Sequence, residues 1–194
     1  MSNIEFFQHP AVTHVISLSI GILGSYIVWW YINHKWIPSL DFGSEICKYS
    51  VGEKQALYVC AFTNTGKRDI LDVEVVARIG FRKYAGHGSW IYYSLRTNAS
   101  QIPIIEPGRR ALIRIMDERE EPSYIDQPPP SLKAMLAACK TLDCVFSLAP
   151  EVVVRIHVFG YDSFSGVRRH YLSPAYVKKD IRSGKLKGLV VVRD

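Results

Sequence analysis

The residues of this chain best suited to binding chemistry are basic and lie near its C-terminal end. Residues 167–194 carry eight Lys or Arg and two Asp side chains, an excess equal to the net charge of +6 of the whole 194-residue chain. Arg binds phosphate and carboxylate groups through two parallel hydrogen bonds, and Lys adds positive charge. The predicted anion-binding residues are Arg168, Arg169, Lys178, Lys179, Arg182, Lys185 and Lys187.

Three kinds of ligand fit this basic cluster: an anionic lipid, a phosphorylated small molecule or an acidic partner protein. Nucleic acid is disfavoured as a partner, because no nucleic-acid recognition motif accompanies the charge. The competing interpretation is a solvated basic face that aids solubility and membrane orientation.

Enzyme signatures are missing from the sequence. It contains no P-loop, no Gly-x-Ser-x-Gly elbow and no His-Glu-x-x-His motif. His157, His170 and His87 are far apart in sequence, and His157 lies in a predicted core strand, where a face-exposed or hydrogen-bonded histidine is commoner than a catalyst. The acidic run at residues 117–121 is typical of a solvated loop. We therefore expect a non-enzymatic protein without a cofactor or a metal site.

Four cysteines, Cys47, Cys60, Cys139 and Cys144, are too few for a disulfide scaffold in a domain of this size. Cys139 and Cys144 lack the two-residue gap of zinc knuckles and redox pairs. We expect free, mostly buried thiols, with the alternative that a close pair forms a disulfide in an oxidising compartment.

One segment predicts a membrane helix. Ala11–Ile32 has 22 residues and no charged side chain, a length that spans a hydrocarbon core of about 30 Å at about 1.5 Å per residue. Tryptophans and a tyrosine cluster at its C-terminal end, where such rings favour the headgroup level. A cleaved signal peptide is the competing interpretation, but the segment lacks a basic start and a small-residue cleavage site.

The predicted organisation is a short N-terminal tail (1–10), a transmembrane helix (11–34), a linker (35–54) and a β-sandwich domain (55–194). Positive charge flanks the helix only at Lys35, on its C-terminal side. By the positive-inside rule we expect a single-pass protein of the cell membrane with its soluble domain in the cytoplasm.

Small residues recur at every fourth position of the membrane helix. Thr13, Ser17, Gly21 and Ser25 share one helical face, and small side chains there let two helices approach closely in lipid. This stripe predicts a homo-oligomer. The alternative is that small residues are simply common in membrane helices.

The remaining sequence is rich in strand patterns. Alternating apolar positions and turn signals predict strands at 56–64, 70–79, 89–95, 111–116, 152–159, 167–172 and 189–192. Helices are predicted at 131–142 and, after Ser173, at 174–182. No βαβ rhythm occurs, so the expected fold is a mainly β, immunoglobulin-like antiparallel sandwich with one or two short helices, preceded by the transmembrane helix.

These segments resemble the cytoplasmic immunoglobulin-like domain of inward-rectifier potassium channels. The resemblance rests on the hairpin at 56–79, the Pro107-Gly108 turn into 111–116 and the stretch 152–182. It implies a sandwich that assembles around a symmetry axis beneath a membrane. The chain has one membrane helix rather than two and lacks the Thr-x-Gly-Tyr-Gly filter, so conduction is not implied.

Together these patterns predict a membrane-anchored, self-associating β-sandwich that binds an anionic ligand or a partner protein without catalysis. The alternative is a ligand-gated effector, in which the cytosolic sandwich senses a nucleotide-like messenger and the clustered helices perturb the membrane. A third possibility, an exported assembly component, requires the opposite orientation.

Overall fold

The computed structural model describes residues 10–51, 55–82, 88–118 and 125–192. The chain forms two compact units, residues 1–37 and residues 38–194.

The first unit is a single helix, α1 (Pro10–Lys35), of 26 residues. Its span Ala11–Ile32 has a mean hydropathy of 1.8, and none of the most apolar window is buried against other parts of the chain. The helix is therefore long and apolar enough to cross a membrane, as the sequence predicts.

The second unit consists mainly of strands. In chain order they are β1 (Leu40–Phe42), β2 (Ile46–Val51), β3 (Gln55–Asn64), β4 (Ile70–Arg82), β5 (Ile91–Ile105), β6 (Arg110–Asp117), β7 (Glu151–Asp162), β8 (Arg168–Leu172), β9 (Ile181–Ser183), β10 (Lys185–Lys187) and β11 (Val190–Val192). Two helices, α2 (Pro130–Ala138) and α3 (Leu142–Val145), lie between β6 and β7, and a 3₁₀ turn (Lys178–Asp180) precedes β9.

One sheet has four antiparallel strands in the order β5-β4-β7-β8. Along β7 the even-numbered side chains are buried and the odd-numbered ones are more exposed, which is the alternation of a strand with one face on the core. Strand β8 forms one edge of this sheet and carries the residues RRHYL.

The other large sheet, of five strands, is built around β3, while β10 and β11 pair with each other as a separate two-stranded sheet. Strand β6 pairs along one side of β3, while β1 and β2 pair end to end along its other side. Gly43 lies between β1 and β2, where a Cβ atom would approach the backbone oxygen of Leu189 to 2.7 Å. A side chain does not fit at this position, so the bend between the two strands needs glycine. Strand β9 pairs with β2 in parallel, a departure from a purely antiparallel sandwich.

The two sheets enclose one apolar core. Its largest fully buried side chains include Tyr58 and Phe62 from β3 and Phe81 from β4. Helix α2 adds Leu132 and Leu136 to the same cluster. Burying each such side chain contributes about 1.5–3 kcal/mol, so the core is the main source of stability. The mainly β fold preceded by one apolar helix is confirmed.

Buried polar groups join the turns at one end of the sandwich. The Asn64 side chain donates hydrogen bonds to the backbone oxygens of Arg68 and Ile105, and its own oxygen accepts one from Gly66 N. The Arg68 guanidinium lies 3.2 Å from the carboxylate of Asp162, and both side chains are buried. These bonds satisfy groups that would otherwise be costly to bury.

Two sequence predictions need correction. The stretch 35–54, predicted as a linker, contains β1 and β2, because both strands pair with β3. The helix predicted at 174–182 is extended instead: Tyr176 pairs with Val154 of β7, and only the 3₁₀ turn is helical. The buried Tyr176 hydroxyl donates to Gly43 O at 2.6 Å. These tertiary bonds outweigh a weak local helix preference.

Candidate anion-binding site

A groove runs between β2 and the segment that links β9 to β10. Strand β9 lies parallel to β2, and the chain then bends at Gly184, whose φ of 148° favours glycine. Bonds to Gly184 and Leu186 fasten this segment to β2: the Cys47 thiol donates to Gly184 O at 3.2 Å, and Leu186 N donates to the Tyr49 hydroxyl at 2.9 Å.

The groove has a volume of about 540 Å³. Its lining residues are Lys48, Tyr49, Ser50, Ile181, Arg182, Ser183, Gly184 and Lys185. We call this surface the basic groove, because three of these side chains are cationic and none is acidic. The volume lies within the usual range for sites that bind small molecules.

Lys48 is held in place from one side of the groove. Its ammonium lies 2.6 Å from the carboxylate of Asp143, which also accepts a hydrogen bond of 3.1 Å from the Tyr58 hydroxyl. The hydrogen bond to Asp143 raises the pKa of Lys48. Burial acts to raise the pKa of Asp143, but the hydrogen bond and charge of Lys48 outweigh it and lower this pKa overall. Both groups are therefore charged at neutral pH.

Arg182 is positioned in a similar way. Its Nε atom donates to the Glu45 carboxylate at 3.1 Å. A guanidinium has five N–H donors, so this bond leaves the terminal amino groups of Arg182 for a ligand. Neither Glu45 nor Asp143 lines the groove. The acids orient the cations from outside, and the groove itself presents cationic and hydroxyl donors to an anion.

The predicted basic residues lie in different parts of the structure, and only some of them are at the groove. Arg182 and Lys185 line the groove, and the charge of Lys178 acts on Asp143. Lys179 and Lys187 are exposed but do not line the groove.

Arg168 and Arg169 belong elsewhere, on β8. Arg168 pairs in register with Tyr161 of β7, whereas Tyr176, which precedes the lysines, pairs with Val154. These positions are separated by seven residues, or about 23 Å at about 3.3 Å per residue. Arg168 forms an ion pair of 2.8 Å with Glu74. The prediction of a single site containing all seven residues is therefore not supported by their positions.

Lys48 is not among the binding residues predicted from the sequence. It lies in a stretch predicted as a linker, and its partners Asp143 and Arg182 are distant in the chain. The signal that could have found it is the run ICKYSV, in which β-branched and aromatic residues favour a strand.

The predicted self-association residues lie on α1. Thr13, Ser17, Gly21 and Ser25 are exposed along the helix, and a Cβ at Gly21 would meet no atom within 4 Å. The stripe has no covering segment among the described residues. Self-association stays a prediction.

The cysteines form one disulfide and two free thiols. Cys139 and Cys144 are bonded to each other, which differs from the free thiols expected there. Cys47 and Cys60 are free and buried, as predicted, and burial raises the pKa of Cys60 to about 11. Among the residues that the structure describes, no group of three His, Cys, Asp or Glu side chains could hold a metal ion.

Comparisons with known proteins do not assign a family. No protein-family model matches the chain, and no curated protein matches its sequence. A solved structure, the sporulation control protein Spo0M from Bacillus subtilis, aligns with 72% of this chain at 10% identity and a TM-score of 0.30. The alignment spans about half (48%) of that protein. At this level of similarity the alignment carries no argument about fold or function, and the resemblance to inward-rectifier domains stays a prediction.

Proposed function

We propose that this protein is a single-pass membrane-anchored, self-associating module whose β-sandwich binds a small phosphorylated ligand in the basic groove, without catalysis. One observation carries the proposal: Lys48 and the pair Arg182 and Lys185, from segments far apart in the chain, line the same groove. A phosphate group placed there would accept charge-assisted hydrogen bonds.

A small molecule fits this site better than a lipid surface or an acidic protein. The groove is concave, and its three cations line a single cavity. A planar membrane or a protein surface favours cations spread over a flat or convex face. Binding rather than catalysis is proposed because the lining combines cations and serine hydroxyls without a histidine or carboxylate to act as a base.

Titration with inorganic pyrophosphate tests the groove. We would reconstitute the full chain in uncharged phosphatidylcholine nanodiscs and measure binding by calorimetry. Arg182→Ala/Lys185→Ala should weaken binding at least tenfold. The matched control Lys133→Ala/Lys140→Ala removes the same charge from exposed positions outside the groove and should change it less than twofold. Equal losses in both variants, or no binding by the unchanged chain, would overturn the proposal.

The self-association component has its own test. Gly21→Leu adds bulk to the small-residue face, whereas Ile22→Phe adds bulk about 100° around the helix. We expect only Gly21→Leu to reduce energy transfer between labelled copies in nanodiscs or vesicles. If both variants associate like the unchanged chain, α1 is only an anchor.

We also propose that the soluble domain is cytoplasmic, on the basis of the positive charge at Lys35. The Cys139–Cys144 bond is a feature typical of oxidising compartments and is the main argument for the opposite side. A cysteine introduced at exposed Lys179 distinguishes the two. In intact cells an impermeant maleimide should not label Lys179→Cys until the cells are lysed; labelling before lysis would place the domain outside.

A second candidate function, the ligand-gated effector, is favoured by a different observation. A group of aromatic and basic side chains on the outer face of the four-stranded sheet suits a nucleotide-like ligand.

A further inference from the structure

The solvent-facing side of the β4-β7-β8 region carries an unusual set of side chains. On β7 the odd-numbered residues face outward, among them Arg155, His157 and Phe159. Strand pairing places Arg78 opposite Arg155, and His170 opposite Phe159. Together with Arg168 at the edge, we call these six residues the outer-face cluster.

Three rings of this cluster stack against one another, and we call them the platform. His157 Nδ1 and His170 Nε2 are 2.9 Å apart, and the two rings are nearly parallel, at 9°. The Phe159 ring centroid lies 4.6 Å from that of His170, with 14° between the planes. Residues that are scattered in the sequence are thus stacked together on the outer face of the sheet, and His157 has the face-exposed, hydrogen-bonded setting that the sequence favoured.

Two arginines lie beside the platform without acidic partners. Arg78 and Arg155 are direct cross-strand neighbours, an arrangement of like charges that is unfavourable by itself. Within the described parts of the chain neither arginine forms an ion pair. The nearby carboxylate of Glu74 pairs with Arg168, and that of Glu151 pairs with Arg82. The Nε atom of Arg155 is buried and has no hydrogen-bond partner among the described residues. An anion placed between the Arg78 and Arg155 side chains would offset the repulsion of their like charges.

The histidine next to these arginines is neutral. Burial, together with the charges of Arg78, His170 and Arg155, lowers the pKa of His157 to about 4. At neutral pH the ring is therefore uncharged and keeps its hydrogen bond to His170, since one nitrogen can donate and the other accept. The platform thus offers apolar ring faces, and the adjacent arginines supply the positive charge.

We propose that the outer-face cluster is a nucleotide-binding site, with the base stacked on the His157–His170–Phe159 platform and a phosphate held between Arg78 and Arg155. Aromatic side chains on a sheet surface stack on bases of any sequence, and arginine matches phosphate geometry. This site is separate from the basic groove. A cross-strand ring pair that only stabilises edge strand β8 would account for the rings, but not for two unpaired arginines beside them.

The test compares adenosine monophosphate with inorganic pyrophosphate on the full chain in uncharged nanodiscs. We expect Arg78→Gln/Arg155→Gln to weaken adenosine monophosphate binding at least tenfold. The control Lys133→Gln/Lys140→Gln should leave it within twofold. Phe159→Leu should weaken adenosine monophosphate binding about threefold or more and leave pyrophosphate binding unchanged.

The outcomes separate the two sites. Failure of pyrophosphate to bind the groove while adenosine monophosphate still requires Arg78 and Arg155 would overturn the proposed function alone. Unchanged adenosine monophosphate binding in a folded Arg78→Gln/Arg155→Gln protein would overturn the outer-face site. Binding of an oligothymidylate at least a hundredfold tighter than the mononucleotide would replace it with a site for single-stranded nucleic acid.

A measurement on the unchanged chain guards against misfolded variants. In protein with labelled histidines, adenosine monophosphate should shift the ring signals of His157 and His170 and leave that of His14, on α1, in place. If no histidine signal moves at saturating nucleotide, the proposal is wrong.

Discussion

The basic groove and the outer-face cluster are both cationic, but they differ in whether their cations are paired with acids. In the groove, Lys48 and Arg182 each contact a carboxylate, Asp143 and Glu45, that lies outside the lining. On the outer face, Arg78 and Arg155 stand opposite each other without a described acid. The cations of the groove are therefore held in place by acids of the same chain. On the outer face, the neighbouring charges of Arg78 and Arg155 are not balanced by an acid among the described residues.

This difference separates two uses of positive charge. Cations held by acids gain a defined geometry but have less net charge to offer a ligand. Unpaired neighbouring cations lower the stability of the free protein and recover that energy when an anion binds, which couples binding to stability. The outer face therefore has the stronger electrostatic reason to bind an anion, and the groove has the better formed cavity.

The largest expected effect is the loss of stability on removing the carboxylate of a buried ion pair. Asp162→Ala removes the carboxylate that pairs with Arg68, and the Asp162 and Arg68 side chains are only 1% and 9% exposed. We expect a loss of roughly 3–5 kcal/mol in the free energy of unfolding, measured by denaturant titration. The control Glu74→Ala removes the exposed partner of Arg168 and should cost about 0–1 kcal/mol. Similar losses of unfolding free energy in both variants would contradict the expectation that a buried ion pair contributes more than an exposed one.

The second effect is a difference in pH dependence. The pKa of His157 is lowered from 6.5 to about 4, first by burial, so the unfolded chain binds this proton more readily. The stability that neutral His157 contributes is complete above about pH 6.5 and is lost as the pH falls towards 4. Beside the groove, the pKa of Asp143 is lowered from 3.8, so the stability that this carboxylate contributes is lost only at more acidic pH.

We therefore expect the unfolding temperature to fall by several degrees between pH 6.5 and 4. This corresponds to on the order of 1 kcal/mol, because the ring is partly exposed and solvent screens its charge. His157→Phe should remove most of this slope, while Asp143→Asn should preserve it. A slope unchanged in His157→Phe would assign the pH dependence to another group.

The smallest effect reverses sign between the two regions. Arg78→Glu places a carboxylate opposite Arg155 and should raise the free energy of unfolding by roughly 0.5–1 kcal/mol. Arg182→Glu faces Glu45 and should lower it by a similar amount. Thermal unfolding at low salt and at 1 M salt checks both, because screening should shrink each change. If both substitutions shift the free energy of unfolding in the same direction, the groove and the outer face do not differ in the pairing of their cations.

Much of the fold could be predicted because its signals are local. The uncharged run Ala11–Ile32 requires nothing beyond itself to be apolar and long enough to span a bilayer. Strands β3, β4 and β7 were predicted close to their observed bounds, since alternation with period two is visible within each segment. β1 has only three residues and is too short to show a pattern, whereas β2 alternates apolar Cys47, Tyr49 and Val51 with polar residues and could have been predicted.

The candidate sites were less predictable. The basic C-terminal stretch contributes Arg182 and Lys185 to the groove, but Arg168 lies on a different sheet. The sequence does not predict that His157 and His170 lie together, but the pairing of β7 with β8 brings them into hydrogen-bond contact. Counting charge along the chain locates basic residues, but it does not show which of them share a surface.

The sequence by itself determined the apolar helix, the mainly β character and the basic C-terminal end, because each depends on neighbouring residues. Only the tertiary structure decided that residues 174–180 are mostly extended, that Lys48 joins Arg182, and that Arg168 on β8 lies on a different sheet from Arg182 on β9. The bond between Leu186 N and the Tyr49 hydroxyl joins residues 137 positions apart. Such contacts depend on strand pairing over long separations, which no local pattern of residues specifies.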